Sequence, residues 1–373
     1  MLTDESRLND FQILANMAYL NTAAESIPPK CVHEALAQYS QDKGLGMRGR
    51  VPHNETLESC RKVAARMVSL QTDEVSFCSC SSEAYNLLAS ALNLDIDDEV
   101  VITDLDFPAG ATPWLNAAQP PKTHLWRAHD GALNANDLPA LLNKRTRLVQ
   151  VSLVSFFNGH RLDWEPFITA VRKHAPQATV AVDVTQALGR VELDCADFDV
   201  LISSTHKWVL GVHGGCIVGI PKKANTITTN AGGWYHLENA FDADRFERTV
   251  SKLGASSFSV GMPNYAAIYA LNAALRYIEN IGVNNIAAHA DSLVEQLEAG
   301  VKGLGLSPMA QQRTNNFSGI IAFQHKEADA IHAQLEMKEV HVMNHAGRLR
   351  MALHGYNTVA DVEKFLVTLK NVL

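Results

Sequence analysis

The 373-residue chain lacks most of the features that assign a protein at sight. It has no apolar run approaching the roughly 20 residues that span a bilayer. It has no basic block and no basic stripe interleaved with aromatics, and its formal net charge is -8, so nothing electrostatic points to nucleic acid or an anionic membrane. The amino terminus, "MLTDESRLND", is acidic and polar and does not read as a secretion signal, so a cytoplasmic location is expected. Cysteines stand at 31, 60, 78, 80, 195 and 216 without a CxxC pair or the spacing of a disulfide framework, and are read as reduced thiols. There is no GxxxxGK[ST] phosphate loop, no GxGxxG after a first strand, no internal repeat and no low-complexity segment. "HVMNH" at 341–345 sets two histidines at i and i+4, but without the acid of an HExxH motif a structural placement is favoured over a metal face, and no metal is expected.

What is present suits a soluble globular protein. Hydrophobic residues make up 47% and charged residues 19%, a globular balance, and the length suggests two domains with a cleft between them. Helical spacing in "ESCRKVAARMVSL", "SEAYNLLASALNL" and "DWEPFITAVRKHA" alternates with short β-branched runs, "EVVITDLDF", "LVQVSLVSF", "TVAVDVT", "DVLISST" and "GCIVGI". Such alternation predicts an α/β fold with a mostly parallel sheet, which gathers ligands at the carboxyl ends of its strands. The boundaries are drawn at 20–264 for a large domain and 265–373, with 1–19, for a smaller α+β domain. The helical pattern "YAAIYALNAALRYIENIG" after "GMPN" is read as a link between them.

Three predicted strand ends carry polar residues: Ser81 and Ser82, then Asp183 with Gln186, then Ser204, His206 and Lys207. Singly, each has an ordinary reading as a helix cap, a turn residue or a solvated lysine. Together they suit one purpose. A lysine that forms a Schiff base with pyridoxal 5'-phosphate needs a carboxylate to keep the pyridine nitrogen protonated, and the phosphate needs hydroxyls and N–H groups at a helix start.

With these residues in view the chain resembles the class V aminotransferase family of fold-type I pyridoxal-phosphate enzymes, which includes cysteine desulfurases, selenocysteine lyases and isopenicillin-epimerase-like proteins. "YLNTAA" at 19–24, "FCSCSSEAYNLLA", "DFPAGATPW", "AVDVTQALG", "SSTHKW", "GMPN" and "RLRMALHGYNTVADVEKFL" carry the resemblance nearly end to end. It implies a seven-stranded sheet in the large domain. It also implies that Lys207 is the Schiff-base lysine, that Asp183 pairs with the pyridine nitrogen and that Gln186 bonds the phenolic oxygen. By the same resemblance Phe107 lies over the ring, while Ser81, Ser82, Ser204 and His206 hold the phosphate or orient the ring. Met262 replaces a threonine that would reach the phosphate of a neighbouring subunit in a homodimer with sites near the interface. Arg350 falls on the carboxylate-binding arginine, and Asn21, Arg48 and residues 341–348 are placed around a small amino acid substrate. Cys80 replaces a usual glycine, Met47 a histidine, and Phe156 an asparagine that Asn158 does not replace.

The resemblance implies an aminotransferase first, with a β-eliminating carbon–sulfur lyase or an epimerase as the alternative. Desulfurases need a loop cysteine shortly before the substrate arginine, and no cysteine follows Cys216. A cofactor-binding relative without turnover is disfavoured, because Lys207, Asp183, Gln186 and Arg350 are all retained.

Overall fold

The computed structural model describes residues 1–310 and 317–373. The chain opens with α1 (Asp4–Asp10), the short β1 (Ala18–Tyr19), α2 (Lys30–Gly44) and α3 (Arg50–Met67). The alternation expected from the sequence then follows as β2 (Val75–Cys78), α4 (Ser81–Leu92), β3 (Glu99–Thr103), α5 (Pro108–Leu115), β4 (Lys122–Trp126) and β5 (Thr146–Ser152). It continues through α6 (Trp164–His174), β6 (Thr179–Asp183), β7 (Val200–Ser204) and β8 (Cys216–Gly219). The last third holds α7 (Tyr265–Ile281), α8 (Val283–Gly303), β9 (Ile320–Gln324), α9 (Ala328–Glu336), β10 (Val340–His341), β11 (Met343–His345), β12 (Arg348–Ala352) and α10 (Val359–Val372).

Seven strands form one sheet in the order β2-β8-β7-β6-β5-β3-β4. Only β8 runs against its neighbours, β2 and β7; the other pairings are parallel. Strands β2, β3, β7 and β8 are buried along their whole length, as a sheet covered on both faces requires. Because β8 is reversed twice over, β2 again points the same way as β7. The carboxyl ends of β2, β5, β6 and β7 therefore share one rim, where Ser152 registers with Asp183, and Cys78 and Ser204 both register with Cys216.

The smaller sheet, β11-β12-β9, is antiparallel, and β1 pairs with β10. Its apolar core joins Leu293, Val294, Leu297, Phe323, Leu349 and Phe365 with Ala18 and Leu20. Helix α7 lies elsewhere. Its buried residues Ile268, Leu271, Leu275 and Ile278 belong to the main core, where α7 packs on α2 and α3, and Met1, Phe11 and Leu14 join that same core. The change from the main apolar core to the smaller one falls inside α8, between Ile286 and Leu293. A parallel bridge from Asn21 to Ala352 ties the amino-terminal segment to the end of β12.

"HVMNH" forms β10 and β11 instead of a helical turn, so its two histidines share no helix face. His341 meets the Glu336 carboxylate at 2.9 Å.

Candidate active site

The rim of the large sheet borders a small, open cavity of about 120 Å³. Ser81, Phe107, Asp183, Gln186, Ser204, His206 and Lys207, all singled out from the sequence, line it together with Ser152, Val154, Phe156 and Thr185.

Asp183 ends β6, and its carboxylate is held by two donors. The Tyr85 hydroxyl donates to Oδ2 at 2.8 Å and the Thr185 backbone N–H to Oδ1 at 2.7 Å. Burial first, and then the Asp183 charge, push the Tyr85 phenol well above its ordinary range, so it stays a neutral donor. Gln150 supports it in turn, with Nε2 donating to the Tyr85 oxygen at 3.1 Å. Sequence reading missed Tyr85 because its helical position matches a core aromatic, and it is indeed buried.

Lys207 lies just beyond β7, in a turn tied down on both sides. Ser26 donates its N–H and hydroxyl to the carbonyl of His206, at 3.1 and 3.0 Å, and Leu210 N–H returns to the Lys207 carbonyl at 2.9 Å. Gly211 is required here, because a Cβ would stand 2.6 Å from the carbonyl oxygen of Thr205. Burial lowers the Lys207 pKa to about 8; Arg350 pushes it further down, while Asp183 and Glu25 oppose the shift. The Lys207 ammonium is 5.3 Å from the centre of the Phe107 ring, which is held edge-on to Phe156 at 5.0 Å. His206 stacks on His213 at 4.5 Å, and burial, with the nearby Lys207 and His213 charges, lowers its pKa to about 4. It is a neutral ring at neutral pH.

Gln186 is fixed from both ends of its amide. Nε2 donates to the Ala23 carbonyl at 3.0 Å, and Oε1 accepts from Trp208 Nε1 at 2.6 Å. One Nε2 hydrogen remains to face the cavity. Helix α4 begins at Ser81 with Cys80 as its N-cap, not at Glu83, and no side chain caps its first turn. Its leading N–H groups therefore point at the rim as an anion site.

Other predicted residues lie apart. Ser82 is exposed and outside the cavity lining. Met262, 45% exposed, borders a neighbouring hollow with Ser79, Glu83 and Gly215. Arg48 is exposed in the tight turn between α2 and α3. Asn21 sits beside Ala352 with its Oδ1 buried and unpartnered. Arg350 is buried on β12; its Nη1 donates to the Phe156 carbonyl at 2.7 Å, and its Nε has no partner. Asn158 serves its own turn, donating to the Gly131 carbonyl and accepting from His160 N–H.

These donors fit pyridoxal phosphate. A carboxylate set by two donors shares a cavity with a half-buried amine, an uncapped helix start adjoins Ser81, and an aromatic ring borders the amine. Asp183, Gln186, Ser81, Ser204, His206 and Lys207 would hold the group, which when bound withdraws electrons from the substrate's α-carbon.

Comparison with known proteins gives the family and the fold. Residues 18–365 match the model of the aminotransferase class-V family. An uncharacterized aminotransferase of Bacillus subtilis, YcbU, is 26% identical over 371 residues, covering 94% of this chain and 93% of the relative. The apo structure of a cysteine desulfurase from Thermococcus onnurineus superposes with a TM-score of 0.88 at 22% identity, covering 100% of this chain and 98% of that one. A cystine C-S lyase, C-DES, in complex with its product cysteine persulfide superposes with a TM-score of 0.89 at 19% identity, covering 97% and 99%. The chain belongs to the aminotransferase class V family, and it is a fold-type I enzyme whose cofactor is pyridoxal 5'-phosphate.

Proposed function

We propose that the chain is an aminotransferase for a small amino acid, with Lys207 as the covalent anchor of the cofactor and as the base. The observation that carries this reading is the placement of Lys207: half-buried, lining the same cavity as Asp183, with a pKa lowered to about 8. Roughly a tenth of such an amine is unprotonated at neutral pH, far more than of an ordinary lysine, and general-base work draws on that fraction. Asp183 holds its charge toward the cavity through Tyr85 and Thr185, Phe107 borders the amine, and Arg350 offers a planar guanidinium to the substrate carboxylate. Lys207 Nζ then takes the proton from the substrate α-carbon. A desulfurase route lacks its nucleophile, since no cysteine follows Cys216.

The same reading includes a homodimer. Phe241 and Phe246 are 83% and 89% exposed on the segment between β8 and α7, and Met47 and Val51 are exposed beside Arg48. A second copy would cover such side chains. A reducing, cytoplasmic setting suits the six unpaired cysteines.

The test is a panel of amino acids offered with 2-oxo acid acceptors, with amino exchange and release of pyruvate, sulfide or ammonia measured side by side. Exchange at catalytic rates supports the aminotransferase. Elimination without exchange replaces it with a lyase, and racemisation alone with an epimerase.

A further inference from the structure

Arg348 and Arg350 stand two residues apart on β12, so both side chains leave the same face of the strand. Each is only 1% exposed. The guanidinium carbon of Arg348 lies 4.0 Å from the ring centre of Phe157 and 5.8 Å from that of Phe156. Its Nη1 reaches the carbonyl of His345 at 3.3 Å and the Nδ1 of that residue at 3.4 Å, while Nε and Nη2 are buried without a partner.

The chain treats its other buried arginines differently. Arg7 is paired with Asp361 at 3.2 Å and Arg190 with Asp291 at 2.7 Å. No acidic residue among those described acts on Arg348 or Arg350; burial lowers the pKa of both, and Arg348 adds to the effect on Arg350. Residues 311–316, outside the described set, read QQRTNN and contain no acid. Two adjacent buried cations without a counter-charge are costly, and an anionic ligand offsets that cost.

Phe156 locates the pair. It lines the Lys207 cavity, gives its carbonyl to Arg350 and presents its ring to Arg348. At a strand rise of about 3.3 Å per residue the two arginine Cα atoms are roughly 7 Å apart. A short diacid offers one carboxylate to each guanidinium of such a pair.

We propose that Arg348 is a specificity-determining residue that selects a substrate with a second carboxylate, Arg350 holding the first. The substrate class is then an acidic amino acid and its 2-oxo acid. The reaction part of this inference rests on the aminotransferase reading; the binding part stands without it.

The experiment is calorimetric titration of the cofactor-loaded enzyme with succinate and glutarate against butyrate and valerate, ligands with no amino group to react. Wild type is expected to bind one diacid at least about tenfold more tightly than the monoacid of equal length, as a bidentate charge-assisted pair predicts. Arg348→Gln brings that ratio close to one and leaves the monoacid affinity within about twofold, while Arg348→Lys keeps part of the preference. Removing an uncompensated buried cation also raises the denaturation midpoint of Arg348→Gln, and Arg348→Met repeats the measurement in an apolar background. Equal affinities in wild type, a preference that survives Arg348→Gln, or a lowered midpoint in both variants overturns the proposal. Absence of amino exchange with every amino acid sinks the aminotransferase reading and leaves these affinities standing.

Discussion

Tyr85 donates its hydroxyl to Asp183 Oδ2 at 2.8 Å from helix α4, whose first residue, Ser81, lines the same cavity as Asp183. One side chain thus links the helix that would receive a phosphate at its start to the carboxylate that would pair with the cofactor ring.

Tyr85→Phe removes that donor and keeps the packing. A hydrogen bond to a charged group contributes about 1.5–3 kcal/mol, so cofactor affinity is expected to fall by roughly 10- to 100-fold. Equilibrium dialysis with pyridoxal phosphate reads this directly, and the denaturation midpoint is expected to change little by comparison.

The pH profile of cofactor capture follows from Lys207. Below a pKa of about 8 the side chain is an ammonium and cannot attack; above it the free amine does, so the capture rate rises with pH through about 8 and then levels. Arg350→Gln removes a cation that lowers this pKa and shifts the rise to higher pH. Asp183→Asn removes an anion that raises it and shifts the rise to lower pH. Stopped-flow absorbance across pH 6 to about 10 checks both directions. An unmoved midpoint in both variants would show that neither charge acts on the amine.

Gly159 holds the Phe156 loop against the small sheet. It sits at φ +81°, and a Cβ there would stand 2.3 Å from the carbonyl oxygen of Ile320. Gly159→Ala is therefore expected to cost about 1–3 kcal/mol through strain at a positive φ, and it moves the loop that carries Phe156. Urea unfolding gives the stability loss, and substrate KM reports the displaced loop. A variant with wild-type midpoint and KM contradicts the assigned role.

Trp208 is fully buried, stacks on His354 and donates Nε1 to Gln186. Trp208→Phe keeps a ring but leaves the Gln186 oxygen unpartnered in the core, for a loss of about 1–3 kcal/mol. Thermal unfolding measures it.

The legible and illegible parts of the site divide by chemistry. Asp183, Ser204 and Lys207 stand out in the sequence only as a set, since each alone reads as a cap, a turn residue or a solvated lysine, and the cavity gathers all three. Tyr85 was hidden because an aromatic at helical spacing reads as core. Arg348 fell within residues 341–348, placed around the substrate, but was not singled out, because only Arg350 falls in the family pattern and a guanidinium without a counter-charge is visible only once burial is known. Which core receives α7 is likewise not legible, because an amphipathic helix shows that it has an apolar face, not what covers it. The histidines of "HVMNH", read as structural, lie in a segment that pairs as strand.

The central claim, that Lys207 is the covalent anchor, is tested most directly by reducing the cofactor-loaded enzyme with borohydride and mapping the labelled peptide by mass spectrometry. The account predicts a pyridoxyl group on Lys207 and no label in Lys207→Ala. A label on another lysine, or a cofactor-loaded wild type that takes no label, would contradict it.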